Sequence, residues 1–218
     1  MTFSPRLDVL PAAQRALWPH LSGIPRSFVL YGGTALALRL GHRVSVDFDF
    51  FSHDPLDHAS LERDLDWLRE SETLQLEPNA RTVVVESEGG SVKVSLFGSI
   101  TFGRVGEPEP TDDGVLRAAS LRDLAGTKMK ALLQRVEAKD YLDIAALLDA
   151  GLPIEEILGA ARTLFGATFN PLVAKKTLAY FEGGDLETLE PTVREKLIAQ
   201  ATRDVDVVPL AKLSSRLD

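Results

Sequence analysis

Two aspartates two residues apart, Asp47 and Asp49, stand in a β-rich run, Val44-Ser45-Val46-Asp47-Phe48-Asp49-Phe50. Strand side chains alternate between two faces, so Ser45, Asp47 and Asp49 share one face and Val44, Val46, Phe48 and Phe50 the other. Carboxylates placed this closely repel each other. A divalent cation relieves that repulsion, and Mg²⁺ binds through one or two carboxylates together with substrate phosphates. The plainer reading of a lone D-x-D is an edge strand with an acidic, solvated face.

A second group precedes the first. Phe28-Val29-Leu30-Tyr31 is apolar and reads as a buried strand, and Gly32-Gly33-Thr34 follows it directly. The glycines make a tight turn, and Thr34 is a suitable N-cap for a helix over Ala35 to Leu40, stopped at Gly41. Such a strand, turn and helix start bring bare backbone N–H groups to one point, where a phosphate can bind. Glycine is suited to that point because a Cβ would hold phosphate oxygens away. An ordinary strand-to-helix turn would use the same residues. A third group is electrostatic. Between Arg117 and Lys139 lie Arg117, Arg122, Lys128, Lys130, Arg135 and Lys139 against only Asp123 and Glu137, in a chain of net charge −8. Lys128 and Arg135 fall on one helix face, about two turns apart. A basic face next to a triphosphate suits phosphoryl transfer; a solvated basic face is the simpler account.

The elements that must carry these groups follow from periodicity. Leu7, Leu10, Ala13, Leu17 and Leu21 suggest a helix within residues 1–23, with Pro11 in its first turn or breaking it. Leu56 to Glu70 reads as one amphipathic helix. Thr73 to Leu76 reads as a short strand, and Thr82–Glu86 and Val92–Phe97 flank Ser87-Glu88-Gly89-Gly90 as a hairpin. Phe97 to Arg104 reads as a bent continuation of the second hairpin strand. Helices follow from Ser120 to about Val136, from about Asp140 to Ala150, over Pro153–Phe165 and Leu172–Phe181, and over Thr192–Arg203. Asp140 near a helix start would be favourable there. The expected architecture is α+β: a mixed sheet with flanking helices in residues 1–112 and a helical domain in 113–218.

Composition limits the classes open to the chain. Its 218 residues contain no cysteine, which excludes disulfides and thiolate metal sites. The four histidines have no metal-binding spacing, so zinc is not expected. No apolar run approaches a membrane span and no signal peptide is present, so the reading is a cytoplasmic protein with no membrane partner. The acidic balance argues against a general nucleic-acid coat protein and leaves room for a local contact.

Gly32-Gly33-Thr34 followed after thirteen residues by Asp47-x-Asp49 resembles the signature of the nucleotidyltransferase superfamily that includes DNA polymerase β. The wording GGTALALRLGHRVSVDFDFF resembles the AbiEii/AbiGii toxin family of nucleotidyltransferases, the toxin halves of bacterial toxin–antitoxin and phage-defence pairs. Asp123-x4-Lys128-x2-Ala131-x3-Arg135-x3-Lys139-Asp140-x2-Asp143 extends the likeness. The resemblance implies transfer of a nucleoside monophosphate from an NTP to an acceptor hydroxyl, often of RNA and notably tRNA. It implies Mg²⁺ or Mn²⁺ on Asp47 and Asp49, and phosphates gripped by Gly32, Gly33, Thr34, Lys128 and Arg135. Asp140 and Asp143 would orient these cations or the acceptor, and the nucleotide would lie between the two domains. A cognate antitoxin is the implied protein partner. One position departs from the pattern. The superfamily's third carboxylate comes from a later strand, and here Lys93-Val94-Ser95 places Ser95 where Asp is expected. Glu86 on the partner strand is a candidate substitute if the register permits. The alternative is therefore a decayed nucleotidyltransferase that binds nucleotide, RNA or a partner protein.

Overall fold

Phe28 and the three residues of β1 (Val29–Tyr31) are buried, as an apolar run between turn residues requires of a central strand. In the computed structural model, which describes residues 2–218, β1 lies inside a seven-stranded mixed sheet. Its other strands are β2 (Asp47–Phe51), β3 (Glu72–Glu77), β4 (Ala80–Ser87), β5 (Gly90–Phe97), β6 (Glu109–Pro110) and β7 (Arg117–Ala118). The spatial order is β3-β4-β5-β2-β1-β7-β6. β2 runs antiparallel to β1 and parallel to β5, and β1 runs parallel to β7. The β4–β5 hairpin forms as expected, with Ser87 opposite Gly90 and Gly89 at φ 90°, a conformation that suits glycine.

Several expected elements take a different form. The strand carrying the aspartates begins at Asp47, not Val44, because its ladder with β5 starts at the Asp47–Lys93 pair. Phe48 and Phe50 are buried, but Val44 and Val46 are 60% and 58% exposed, and Ser45 turns inward. The expected helix over 56–70 is two pieces, α3 (His58–Asp64) and α4 (Asp66–Arg69). Asp57 caps α3, accepting from the Ser60 N–H at 3.0 Å. The break lies at Leu65, whose extended backbone drives its side chain into the core against Gly23. Residues after Phe97 do not extend β5. Ser99 takes a positive φ, and the N–H groups of Ser99 and Ile100 turn to the carbonyls of Asp54 and Ser52. The N-terminal helix is short: Pro11 precedes α1 (Ala12–Leu17), with 3-10 turns at Leu7–Val9 and Trp18–Gly23.

Contacts divide the chain into two units, residues up to Ser120 with Ser214–Asp218, and Leu121–Leu213. The sheet unit thus runs past residue 112, because β7 adds to β1 through the Leu30–Ala118 pair. Its last residues return through a bridge between Ser214 and Arg104. The second unit is helical: α5 (Leu121–Leu132), α6 (Ala138–Asp149), α7 (Ile154–Phe165), α8 (Pro171–Leu178) and α9 (Pro191–Thr202). Gly126 lets α5 approach α7 closely, since a Cβ there would lie 2.8 Å from Leu164 Cδ1. Asn170 caps α8, accepting from the N–H groups of Leu172 and Val173. Among the described residues, no helix is long and apolar enough to cross a membrane.

Candidate functional site

The helix α2 (Gly32–Leu40) starts directly where β1 ends, earlier than an N-cap at Thr34 would allow. Thr34 is therefore inside the first turn. Its buried hydroxyl donates to the Asp47 carbonyl and is hydrogen-bonded to the Ser45 hydroxyl at 2.8 Å. That corrects two expectations. Thr34 neither caps the helix nor turns its hydroxyl to a ligand; it ties α2 to the entry of β2.

The glycines have separate reasons. Gly32 sits at φ +73°, and a Cβ there would lie 2.9 Å from Asp49 Oδ2. The Asp49 carboxylate therefore lies against the helix start in space that only glycine leaves. A Cβ on Gly33 would collide with the Arg43 guanidinium and come within 3.1 Å of Ser45 Oγ. Arg43 had no place in the sequence-based site. The Arg43 guanidinium and the Asp49 carboxylate thus lie against neighbouring glycines at the start of α2. The signal that could have found Arg43 was its position four residues before Asp47 and two after the Gly41 stop.

The register fixes the neighbours of the aspartates. Asp47 lies opposite Lys93, and Asp49 between Tyr31 and Ser95. Lys93 Nζ is 3.1 Å from Asp47 Oδ2, with side chains 43% and 35% exposed. Repulsion within the aspartate pair is thus relieved in part by an ammonium on the adjacent strand. Ser95 occupies the position expected for the third carboxylate. Its neighbour across the hairpin is Thr82, whose hydroxyl is 3.3 Å from Ser95 Oγ, with Gln75 beyond on β3. Glu86 pairs with Ser91, four residues along β4 from Thr82, so the register does not bring it to Ser95. Among the described residues there is no group of three or more His, Cys, Asp or Glu arranged for a metal. Two oxygen-donor carboxylates on one face, with the adjoining helix start bare of a Cβ, fit a hard cation that keeps water and phosphate ligands.

In the helical unit, Lys128, Arg135, Asp140 and Asp143 form a single cluster. Lys128 Nζ is 3.1 Å from Asp140 Oδ1 and 2.6 Å from Asp143 Oδ2. Arg135 donates from Nε and Nη2 to the two Asp140 oxygens at 2.7 and 3.0 Å. Asp140 and Asp143 are fully buried and Lys128 is 4% exposed. Burial alone would raise the Asp140 pKa. The hydrogen bond from Arg135 and the charges of Lys128 and Arg135 outweigh burial and hold it below the usual carboxylate range. Asp140 is thus committed to the two cations rather than to capping α6. The buried Lys128 also means that the basic run is not one solvated face. Arg122 pairs with Glu156, Lys139 with Glu137, and Lys130 donates to the Thr168 carbonyl.

Three comparisons bear on this geometry. The sequence model of the family described as "Nucleotidyl transferase AbiEii toxin, Type IV TA system" matches residues 18–207. An uncharacterized protein of Aquifex aeolicus strain VF5 is 33% identical over 172 residues, which cover 77% of this chain and 80% of that protein. Among solved structures, MenT4, a nucleotidyltransferase toxin of Mycobacterium tuberculosis H37Rv, is similar with a TM-score of 0.60 at 14% identity, covering 89% of this chain and 83% of that one. An H. pylori protein provisionally assigned as a nucleotidyltransferase has a TM-score of 0.57 at 18% identity, covering 86% and 89%. These structural likenesses concern the fold.

Proposed function

The chain belongs to the AbiEii nucleotidyl transferase toxin family, and from that premise we propose that it moves a nucleoside monophosphate from an NTP to an acceptor hydroxyl of RNA, notably tRNA. The observation that carries this reading is the placing of Asp47 and Asp49 on one strand face beside the Cβ-free start of α2. The acceptor oxygen bonds to the α-phosphorus, the bond from that phosphorus to the bridging oxygen breaks, and pyrophosphate leaves.

Each part of the sheet unit has a role in this reading. Backbone N–H groups at Gly32 and Gly33 and the guanidinium of Arg43 hold the β- and γ-phosphates. Asp47 and Asp49 would hold a divalent cation, Mg²⁺ or Mn²⁺, which would supply charge neutralisation for the triphosphate and lower the pKa of the attacking hydroxyl. With both carboxylates engaged by the cation, the hydroxyl proton passes to solvent water. Lys93 holds Asp47 before the cation arrives. In the helical unit Lys128 spends two of its three donors on aspartates, and Arg135 is the cation of that cluster that reaches solvent, its side chain 43% exposed. Lys128, Asp140 and Asp143 fix the position of Arg135. The protein acts in the cytoplasm as the toxin of a type IV toxin–antitoxin or phage-defence pair, with a cognate antitoxin as its neutralising partner.

The test is a transfer assay with each labelled NTP in turn, Mg²⁺ and total bacterial RNA, with Asp47→Ala beside the unmodified protein. Label entering RNA only with the unmodified protein is the expected result, and it names the nucleotide. The hydroxyl row at Ser95 and Thr82 favours a second reading, a site that binds NTP without turnover. Saturable NTP binding with no transfer to any RNA would select it.

A further inference from the structure

The sheet has a second face with a concavity of its own. Leu30 pairs with both Phe50 and Ala118, so Phe28, Phe50 and Leu116 share one face, while Asp49, paired with Tyr31, takes the other. On the face away from the aspartates lies a cleft of about 490 Å³. Phe28, Phe50 and Leu116 are buried and form its apolar floor, with Ile24 and Val115 half-buried beside them. Each wall is held by its own hydrogen bonds. On one side the Ile24 N–H donates to the Leu21 carbonyl at 3.0 Å and the Phe28 N–H to the Pro25 carbonyl at 2.9 Å. On the other, the Thr111 N–H donates to the Leu116 carbonyl at 2.9 Å, and the Val115 N–H to Asp113 Oδ1 at 3.1 Å. Trp18 Nε1 donates to the other Asp113 oxygen at 2.8 Å, so the acid of this loop is already engaged.

Two cations complete the lining. Arg26 is exposed and Arg117 half-buried, and Arg117 Nη1 donates to the Arg26 carbonyl at 3.4 Å, which keeps the two residues together. Among the described residues, neither guanidinium has a carboxylate within ion-pair distance, although the chain carries a net charge of −8. The guanidinium fork matches the oxygens of a carboxylate or phosphate, and its plane stacks on flat rings. We infer that this cleft binds a small organic anion, with a flat apolar body on Phe28, Phe50 and Leu116 and a carboxylate or phosphate group held by Arg26 and Arg117. The volume falls within the range of small-molecule sites, which suits such a ligand better than a macromolecular segment. The site stands apart from the transferase reading, because β2 turns Phe50 to the cleft and Asp49 to the opposite face.

Equilibrium binding tests the site. The probes are 2-naphthoate, 2-naphthyl phosphate, the neutral 2-naphthalenemethanol and inorganic phosphate. The unmodified protein should bind at least one naphthyl anion about tenfold or more tighter than both naphthalenemethanol and inorganic phosphate, since apolar burial and charge-assisted hydrogen bonds each contribute. The better of the two anions distinguishes a carboxylate site from a phosphate site. Arg26→Gln and Arg117→Gln, each checked for an unchanged unfolding temperature, should bring anion affinity down towards that of naphthalenemethanol and leave the alcohol unaffected. Asp47→Asn and omission of Mg²⁺ should change none of these affinities. Equal binding of anions and alcohol overturns the inference, as does anion binding unchanged in both folded arginine variants. Loss of probe binding in Asp47→Asn would move the probe to the aspartate face and overturn it as well. So would a failure of every naphthyl probe to bind the unmodified protein.

Discussion

Replacing Lys128 by methionine should unfold the helical unit more readily, whatever it does to catalysis. The ammonium lies between two fully buried carboxylates, 3.1 Å from Asp140 and 2.6 Å from Asp143. Methionine keeps most of the volume and removes the charge. Asp140 retains Arg135, but Asp143 loses the ammonium at its Oδ2. Removing one partner of a buried ion pair costs about 3–5 kcal/mol, because the remaining charge stays desolvated. For a protein of this size that is roughly 6–20 °C in unfolding temperature. The assay is thermal unfolding followed by circular dichroism at neutral pH, without Mg²⁺ or nucleotide. A Lys128→Met/Asp143→Asn double variant should recover part of the loss, since the amide no longer needs a counter-charge. An unchanged unfolding temperature in Lys128→Met would refute the reasoning, showing that the cluster is open to solvent and that Lys128 is available as a direct phosphate ligand.

Asp47→Asn should behave in the opposite way. Its pair with Lys93 is more than one-third exposed on both sides, so the stability change should stay within about 1 kcal/mol while transfer is lost; a large drop in unfolding temperature would assign Asp47 a structural role. Gly32→Ala should cost about 1–2 kcal/mol for the positive φ and also displace Asp49, so both denaturant midpoint and transfer rate should fall. Acid should weaken the fold through Asp140. Its folded pKa is depressed below the ordinary 3.8, so the stability it confers is present above that value and is lost as pH falls through the folded pKa. Asp140→Asn should flatten the acid limb of a stability-versus-pH curve, and an unaltered slope would count against this.

The parts of the site that sit on local sequence patterns are legible in the residues themselves. Gly32-Gly33 after an apolar strand and Asp47-x-Asp49 on one strand face need only a period of two and the demands of a tight turn. The hairpin and its Gly89-Gly90 turn are readable for the same reason. Features set by long-range packing are not. The strand start at Asp47 depends on where β5 begins to pair, and Val44 and Val46 carry no sign of that. Leu65 interrupts a well-formed amphipathic period because the core offers it a place beside Gly23. Arg43 and Lys93 read as ordinary surface cations, and only the fold places one against Gly33 and the other against Asp47. Lys128 reads as part of a basic face because charge counting along a helix cannot show that Asp140 and Asp143 close over it.

The neutralised basic run has a consequence for how a polyanion would meet this protein. Of the cations between Arg117 and Lys139, Arg122, Lys128, Arg135 and Lys139 are each paired with a carboxylate. The chain as a whole carries −8. Binding that displaces few counterions depends weakly on salt, and an acidic protein gains no long-range attraction for a polyanion. Encounter with a polyanion should therefore be slowed by repulsion, and added salt should speed it by screening that repulsion. For the proposed RNA acceptor, selection would then fall to the shape and exposed bases of a terminus rather than to its charge.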